Sequence, residues 1–192
     1  DTRFELIDRC TTFNELLHDM ELLLNKEHLF YGHGTGNAMD ESMAILMYLS
    51  ESNDVLDEEQ LKKSISDQVQ KKAKEVLYQR VTESKPLPYI TNQAYFCGKK
   101  FYVDERVLIP RSPIAELINN RFEPWLNPNS INRVLEIGTG SGCIALTLAM
   151  LKPEIKIIAS DISNSALEVA EVNKKLHKVS NVSFVHSNWM SF

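Results

Sequence analysis

Three glycines at alternate positions stand beside a carboxylate in Glu136-Ile137-Gly138-Thr139-Gly140-Ser141-Gly142. Glycines so placed allow a tight turn and let backbone approach a ligand with no Cβ in the way. The neighbouring residues discriminate among ligands. A dinucleotide fingerprint needs glycine or alanine three positions after its second glycine, where this chain has Cys143. A phosphate loop of the Walker kind needs a Lys-Ser or Lys-Thr pair, and none follows Gly142. Asp161, 21 residues after Gly140, is placed to accept hydrogen bonds from ribose hydroxyls. Glu136 suits a cationic ammonium and repels phosphate. An adenosyl cofactor without a pyrophosphate fits these residues better than a dinucleotide. A structural turn without a ligand is the competing reading.

Other reactive side chains offer less. His18, His28, His177 and His186 show no zinc-ligand spacing, so no metal is expected. His33, between glycines, reads as a turn residue. Arg111 could reach a cofactor carboxylate or a substrate backbone, or form a structural ion pair. Cys143 opens a helix and reads as packing.

These groups need elements to hold them. Val134-Leu135-Glu136-Ile137 reads as a strand, residues 143–151 as a helix and 155–160 as a second strand. Ser163 caps a helix carrying Ala166, Leu167, Ala170 and Leu176, and residues 182–185 form a third strand. That alternation implies a parallel sheet with right-handed crossovers, so the class is α/β. Residues 1–85 read as helical instead. Thr12-x-x-Glu15 is a capping box ahead of Phe13, Leu16, Leu17, Met20, Leu23 and Leu24. The glycines of Tyr31-Gly32-His33-Gly34-Thr35-Gly36-Asn37 interrupt, and a second helix is predicted over 40–50. Its face carries Met43, Leu46, Met47 and Ser50, widened by Ile45 and Leu49. A longer third helix follows Asp57-x-x-Gln60 on Leu61, Ile65, Val69, Val76 and Leu77, until Pro86 and Pro88 stop it. Tyr95-Phe96 and Phe101-Tyr102-Val103 flank Cys97-Gly98-Lys99-Lys100 as a hairpin. Ser112-Pro113 starts a helix with Ile114, Leu117 and Ile118 on its face.

The 192 residues carry 21 Lys and Arg against 26 Asp and Glu, a net charge of −5. Residues 1–59 are net −11 and residues 60–192 net +6. The overall sign disfavours direct nucleic-acid binding. The acidic arm could steer a basic protein partner, or be the solvated faces of amphipathic helices. The longest apolar stretch, 144–151, is interrupted by Thr147 and is too short to span a bilayer. No secretory leader opens the chain, and its first residue is Asp1 rather than Met, as expected of a trimmed sequence. Three cysteines without paired spacing suit a reducing cytoplasm.

Glu-x-Gly-x-Gly-x-Gly after a strand, with an acid ending the next strand, resembles motif I of class I adenosylmethionine-dependent methyltransferases. The resemblance implies that Gly138, Thr139, Gly140 and Gly142 line the methionine and ribose of S-adenosyl-L-methionine beside Glu136. By the same pattern Asp161 holds the ribose hydroxyls, and Ile162 packs on adenine. Ser187-Asn188-Trp189 matches the position that contacts adenine. The family usually has aspartate where this chain has Asn188, whose amide oxygen can still accept from the adenine amino group. More narrowly, Phe101-Tyr102-Val103 and Val107-Leu108-Ile109-Pro110-Arg111 resemble protein-glutamine methyltransferases of the HemK/PrmC type. Ser112-Pro113-Ile114-Ala115-Glu116-Leu117-Ile118-Asn119-Asn120 is similar to the PrmB subgroup, which modifies a large-subunit ribosomal protein. Tyr31-Gly32-His33-Gly34-Thr35 and Thr91-Asn92-Gln93-Ala94-Tyr95-Phe96-Cys97-Gly98 share that similarity.

The implied architecture is a helical substrate-recognition domain over 1–85, a hairpin and connector over 86–130, and the first half of a Rossmann-like cofactor domain over 131–192. The family's catalytic Asn-Pro-Pro-Tyr does not occur in these residues; Asn127-Pro128 precedes the first strand and is not that motif. The resemblance therefore implies a cytoplasmic enzyme whose catalytic loop lies beyond this chain, with a ribosomal protein as substrate and no membrane partner. A release-factor glutamine methyltransferase, a nucleic-acid amino methyltransferase and a non-catalytic protein-binding module are the alternatives.

Overall fold

A computed structural model describes residues 2–32, 34–52, 54–127 and 130–189, so His33 and Pro128 lie outside the described residues. The chain divides into two compact units, Asp1–Thr91 and Asn92–Phe192.

The first unit is helical: a 3₁₀ helix Thr2–Arg9, then α1 Phe13–Lys26, α2 Ala38–Leu49, α3 Glu58–Leu61, α4 Asp67–Val81 and α5 Leu87–Thr91. Ile7, Leu16, Met20, Leu24, Ile45, Leu46 and Leu77 lie in its core. The Thr12 hydroxyl caps α1 by accepting the Glu15 N–H. The Glu15 carboxylate reaches back one residue further than a simple capping box requires, to the Thr11 N–H and hydroxyl. Asn37 caps α2, which therefore starts at Ala38. Its buried face runs through Ala38, Glu41, Ser42, Ile45, Leu46 and Leu49, so Ile45 and Leu49 form its centre while Met43 and Met47 are half-buried.

The long third helix expected after Asp57 is two helices. Asp57 and Gln60 form a reciprocal capping box, but α3 lasts one turn and Ser66 caps α4 anew. Between them the Phe13 N–H donates to Lys63 O and the Ile65 N–H to Thr11 O. Those long-range bonds engage backbone groups that a continuous helix would use. Pro86 and Pro88 do not end the helical unit either. They open α5, whose Tyr89 and Ile90 N–H groups bond to Pro86 O, because proline is tolerated in a first turn.

A buried ion pair joins α2 to α4. Glu41 and Arg80 are both nearly inaccessible and bonded to each other. The guanidinium also donates to Phe30 O at 2.8 Å, and the carboxylate accepts from the Thr35 hydroxyl at 2.9 Å. The pair thus holds the glycine-containing loop that follows α1 at two points, Phe30 and Thr35.

In the second unit, β1 Gln93–Phe96 and β2 Lys99–Tyr102 form the hairpin. Its two-residue turn is Cys97-Gly98, with φ of 48° and 70°, the type I′ geometry that matches strand twist. In α6, Ile114–Asn119, the Ser112 hydroxyl accepts the Ile114 N–H; Ile118 is buried but Leu117 is exposed. The chain then alternates through β3 Arg133–Ile137, α7 Cys143–Leu151, β4 Lys156–Asp161, α8 Asn164–Leu176 and β5 Val182–His186. The three strands are parallel in the order β3-β4-β5, a partial Rossmann-like α/β fold. Ile157, Ala159 and Val182 pack with Ala145, Leu146 and Ala149 of α7 in one core. The opposite sheet face shows Leu135, Ile137 and Ile158, respectively 46%, 45% and 46% exposed. On α8 the buried stripe is Ala166, Val169, Ala170 and Asn173; Leu167 is half-buried and Leu176 exposed, contrary to the expected stripe. No helix among the described residues is long and apolar enough to cross a membrane.

Candidate functional site

The glycine loop begins where β3 ends. Gly138 and Thr139 both donate backbone N–H to Ser160 O, at 2.8 and 2.9 Å, which fixes the loop on β4. Gly138, Gly140 and Gly142 all have positive φ, but their surroundings differ. A Cβ at Gly138 or Gly140 would meet nothing within 4 Å. At Gly142 it would lie 3.1 Å from Leu146 and Phe184 and 3.2 Å from Ala170. The first two glycines leave space beside the loop; the third lets α7 and α8 pack together.

Two carboxylates brace this loop. Glu136 Oε2 accepts from the Thr139 hydroxyl at 2.8 Å and from the Ala145 N–H at 3.1 Å. Burial nevertheless pushes its carboxyl up to about 7. Asp161 Oδ2 accepts the Gly140 N–H and its Oδ1 the Ser163 N–H, both at 2.9 Å. Glu136 Oε2 is thus fully used, while each Asp161 oxygen keeps a lone pair for a further donor.

A cleft of about 410 Å³ opens between the loop and residues 106–112. Glu136, Gly138, Thr139, Gly140, Ser141, Cys143 and Ile144 form one side, with Asp161, Ser163 and Ala166 below them. Arg111 lines the other side. The Ser187 N–H donates to Asp161 O at 3.0 Å, and His186 Nε2 lies 2.9 Å from Ile162 O. The turn bearing Asn188 and Trp189 is thereby tied to the segment bearing Ile162; all three side chains are exposed.

Sequence reasoning missed Arg106. Its guanidinium bonds both Asp104 oxygens and Glu168 on α8, and it holds the Asp104 carboxyl down at about 2. Asp104-Glu105-Arg106 looks like ordinary surface charge, so no local signal marks it. A larger groove, about 810 Å³, runs along α4 in the helical unit, but Lys74 and Asp8 on its walls pair with each other.

Open space beside Gly138 and Gly140, an acid near each end of the loop and an arginine opposite fit an adenosyl cofactor bearing a methionyl group. Residues 128–192 match a family model described as Methyltransferase domain. A methyltransferase domain is present. The chain is also similar to curated proteins named ribosomal protein uL3 glutamine methyltransferase. The one from Francisella tularensis subsp. tularensis is 34% identical over 92% of this chain and 56% of its own length. The one from Bordetella pertussis is 37% identical over 84% of this chain and 55% of its own. The chain thus spans about half the length of the curated relatives it matches. Among solved structures, the N-terminal domain of human METTL16 in complex with SAH aligns at a TM-score of 0.39 and 15% identity, over 75% of this chain and 52% of that one. In the methyltransferase domain, the glycine loop and Asp161 both lie inside the matched residues.

Proposed function

We propose that the complete gene product is a protein-glutamine methyltransferase, moving a methyl from S-adenosyl-L-methionine to a glutamine side-chain amide in ribosomal protein uL3. One observation carries the reading: likeness to proteins of that name runs through both units, over 84–92% of this chain. The cleft supports the cofactor half of it.

When bound, S-adenosyl-L-methionine supplies an electrophilic methyl on a sulfonium. The chain's own residues hold the donor. Asp161 accepts from ribose hydroxyls while still gripping the Gly140 N–H, and Glu136 in its ionised form faces the methionyl ammonium. Arg111 meets the carboxylate of the cofactor or the substrate backbone. Ile162, Asn188 and Trp189 receive adenine, and Gly138, Thr139 and Gly140 line the ribose and methionine. Gly142 serves them from behind by letting α7 approach α8. An amide nitrogen is a weak nucleophile, so rate comes from aligning it with the methyl. By the family resemblance that alignment belongs to an Asn-Pro-Pro-Tyr loop, which these 192 residues do not contain. The acidic helical unit, residues 1–85 with α5 appended, recognises the basic substrate protein. The reading places the protein in the cytoplasm, which suits the free Cys10, Cys97 and Cys143.

The test incubates the complete gene product and S-adenosyl-L-methionine with uL3, a release factor, and RNA or DNA in parallel. A methyl mass on one glutamine of uL3 is the expected result. Transfer only to the release factor, only to nucleic acid, or to nothing despite cofactor binding would each replace this reading with the matching alternative.

A further inference from the structure

Asn173 sits on α8 with no exposed surface. Its Nδ2 donates to Tyr102 O and to Ser141 O, each at 2.9 Å, and its Oδ1 accepts the Tyr102 N–H at 2.7 Å. Both amide donors and the oxygen are spent on backbone. Toward Tyr102 the side chain does what the peptide group of a neighbouring strand would do.

One backbone partner lines the cleft, and the other leads into its facing wall. Ser141 is part of the glycine loop. Tyr102 ends β2 and leads into the strap that supplies the facing wall, residues 106–112. The same helix grips that strap again through Glu168, which accepts from Arg106 at 2.8 Å. Arg106 also bonds Asp104, and Asp104 accepts from the Tyr102 hydroxyl at 3.0 Å. A buried amide is costly unless all its bonds are made, and an apolar residue would satisfy the packing of this stripe by itself.

The geometry points to Asn173 as the positioning residue that sets the separation of the two cleft walls, an inference that rests on the adenosylmethionine reading above. It acts through Ser141 and Tyr102. Without it, binding must order two walls that are no longer joined, and affinity falls.

Calorimetric titration of the complete gene product with S-adenosyl-L-methionine tests this. Asn173→Ala should raise Kd about tenfold or more. Val169→Ala, at a fully buried position on the same helix, should lower the melting temperature while leaving Kd within about twofold. Equal changes of Kd in the two variants would mean that Asn173 serves stability alone, and would overturn the inference. If Asn173→Ala does not fold, amide hydrogen exchange in the unaltered protein decides. Ligand should slow exchange at the Tyr102 N–H together with the Gly140 N–H; a Tyr102 amide indifferent to ligand overturns the coupling. Failure of the unaltered protein to bind overturns the cofactor reading and this inference with it. Binding by it and by Asn173→Ala alike overturns this inference alone.

Discussion

At the scale of single residues, the three loop glycines separate into two kinds. Gly142→Ala forces a Cβ against Leu146, Phe184 and Ala170 at positive φ. We expect it to lose about 2–5 kcal/mol of stability from backbone and overpacking together, with cofactor affinity kept in the molecules that remain folded. Gly140→Val enters open space. It should lose only about 1–2 kcal/mol of stability but abolish cofactor binding. Melting curves beside calorimetric titration distinguish them, and normal affinity in Gly140→Val would remove the cofactor from this cleft. Glu136 adds a pH dependence. Its carboxyl titrates near 7 when folded, against an ordinary value of 4.5. Below 4.5 it is neutral in both states and costs nothing. Between those values only the unfolded state ionises, so stability falls as pH rises, and above 7 the full loss is in place. A bound ammonium favours the charged form. Affinity should therefore rise up to about pH 7, and binding at pH 6 should release a proton. Titrations in two buffers of different ionisation enthalpy measure that proton, and Glu136→Gln should erase it. No release from the unaltered protein would separate Glu136 from the ammonium.

Among the elements, α2 and α4 depend on the buried Glu41–Arg80 pair. Glu41→Ala leaves a buried guanidinium without its carboxylate and should cost about 3–5 kcal/mol. Glu41→Leu combined with Arg80→Met should restore most of that loss, since well-packed apolar residues replace buried pairs at little cost. Denaturant midpoints of single and double variants check this; a double variant as unstable as the single would mean that the pair is not the main tie. The pair also marks where sequence reasoning runs out. The strand–helix alternation after residue 133 is legible because each element carries its own period and cap, such as Ser163 before α8. The helical unit is less so, because the backbone bonds from Phe13 N–H to Lys63 O and from Ile65 N–H to Thr11 O cut a helix that periodicity alone would continue. Glu41, Arg80 and Asn173 resemble surface polar residues on their helices. Their burial follows from partners 39, 50 and 71 residues away, which no local window contains. In the site, the glycine loop and Asp161 can be read from chain spacing, whereas the strap bearing Arg106 meets them only through tertiary contacts.

Over the whole molecule, charge is uneven, and five exposed acids crowd into Glu51, Asp54, Asp57, Glu58 and Glu59. Neutralising four of them, with Asp57 kept as the cap of α3, should lower kcat/KM on uL3 about tenfold at low ionic strength, through slower encounter. The gap should close in high salt, and cofactor affinity should not change. An unaltered salt slope would make these acids mere solvation. A further consequence of the fold is colloidal. Leu135, Ile137 and Ile158 leave an apolar strip on the sheet, and β3 pairs on only one edge among the described residues. Prepared as 192 residues, the chain should attract copies of itself. Its osmotic second virial coefficient should be negative, more so in sulfate, and should rise towards zero in Leu135→Lys. Solubility would then be governed by three side chains that do not line the cofactor cleft, and a buffer chosen for ligand binding would not be the one that keeps the protein dispersed.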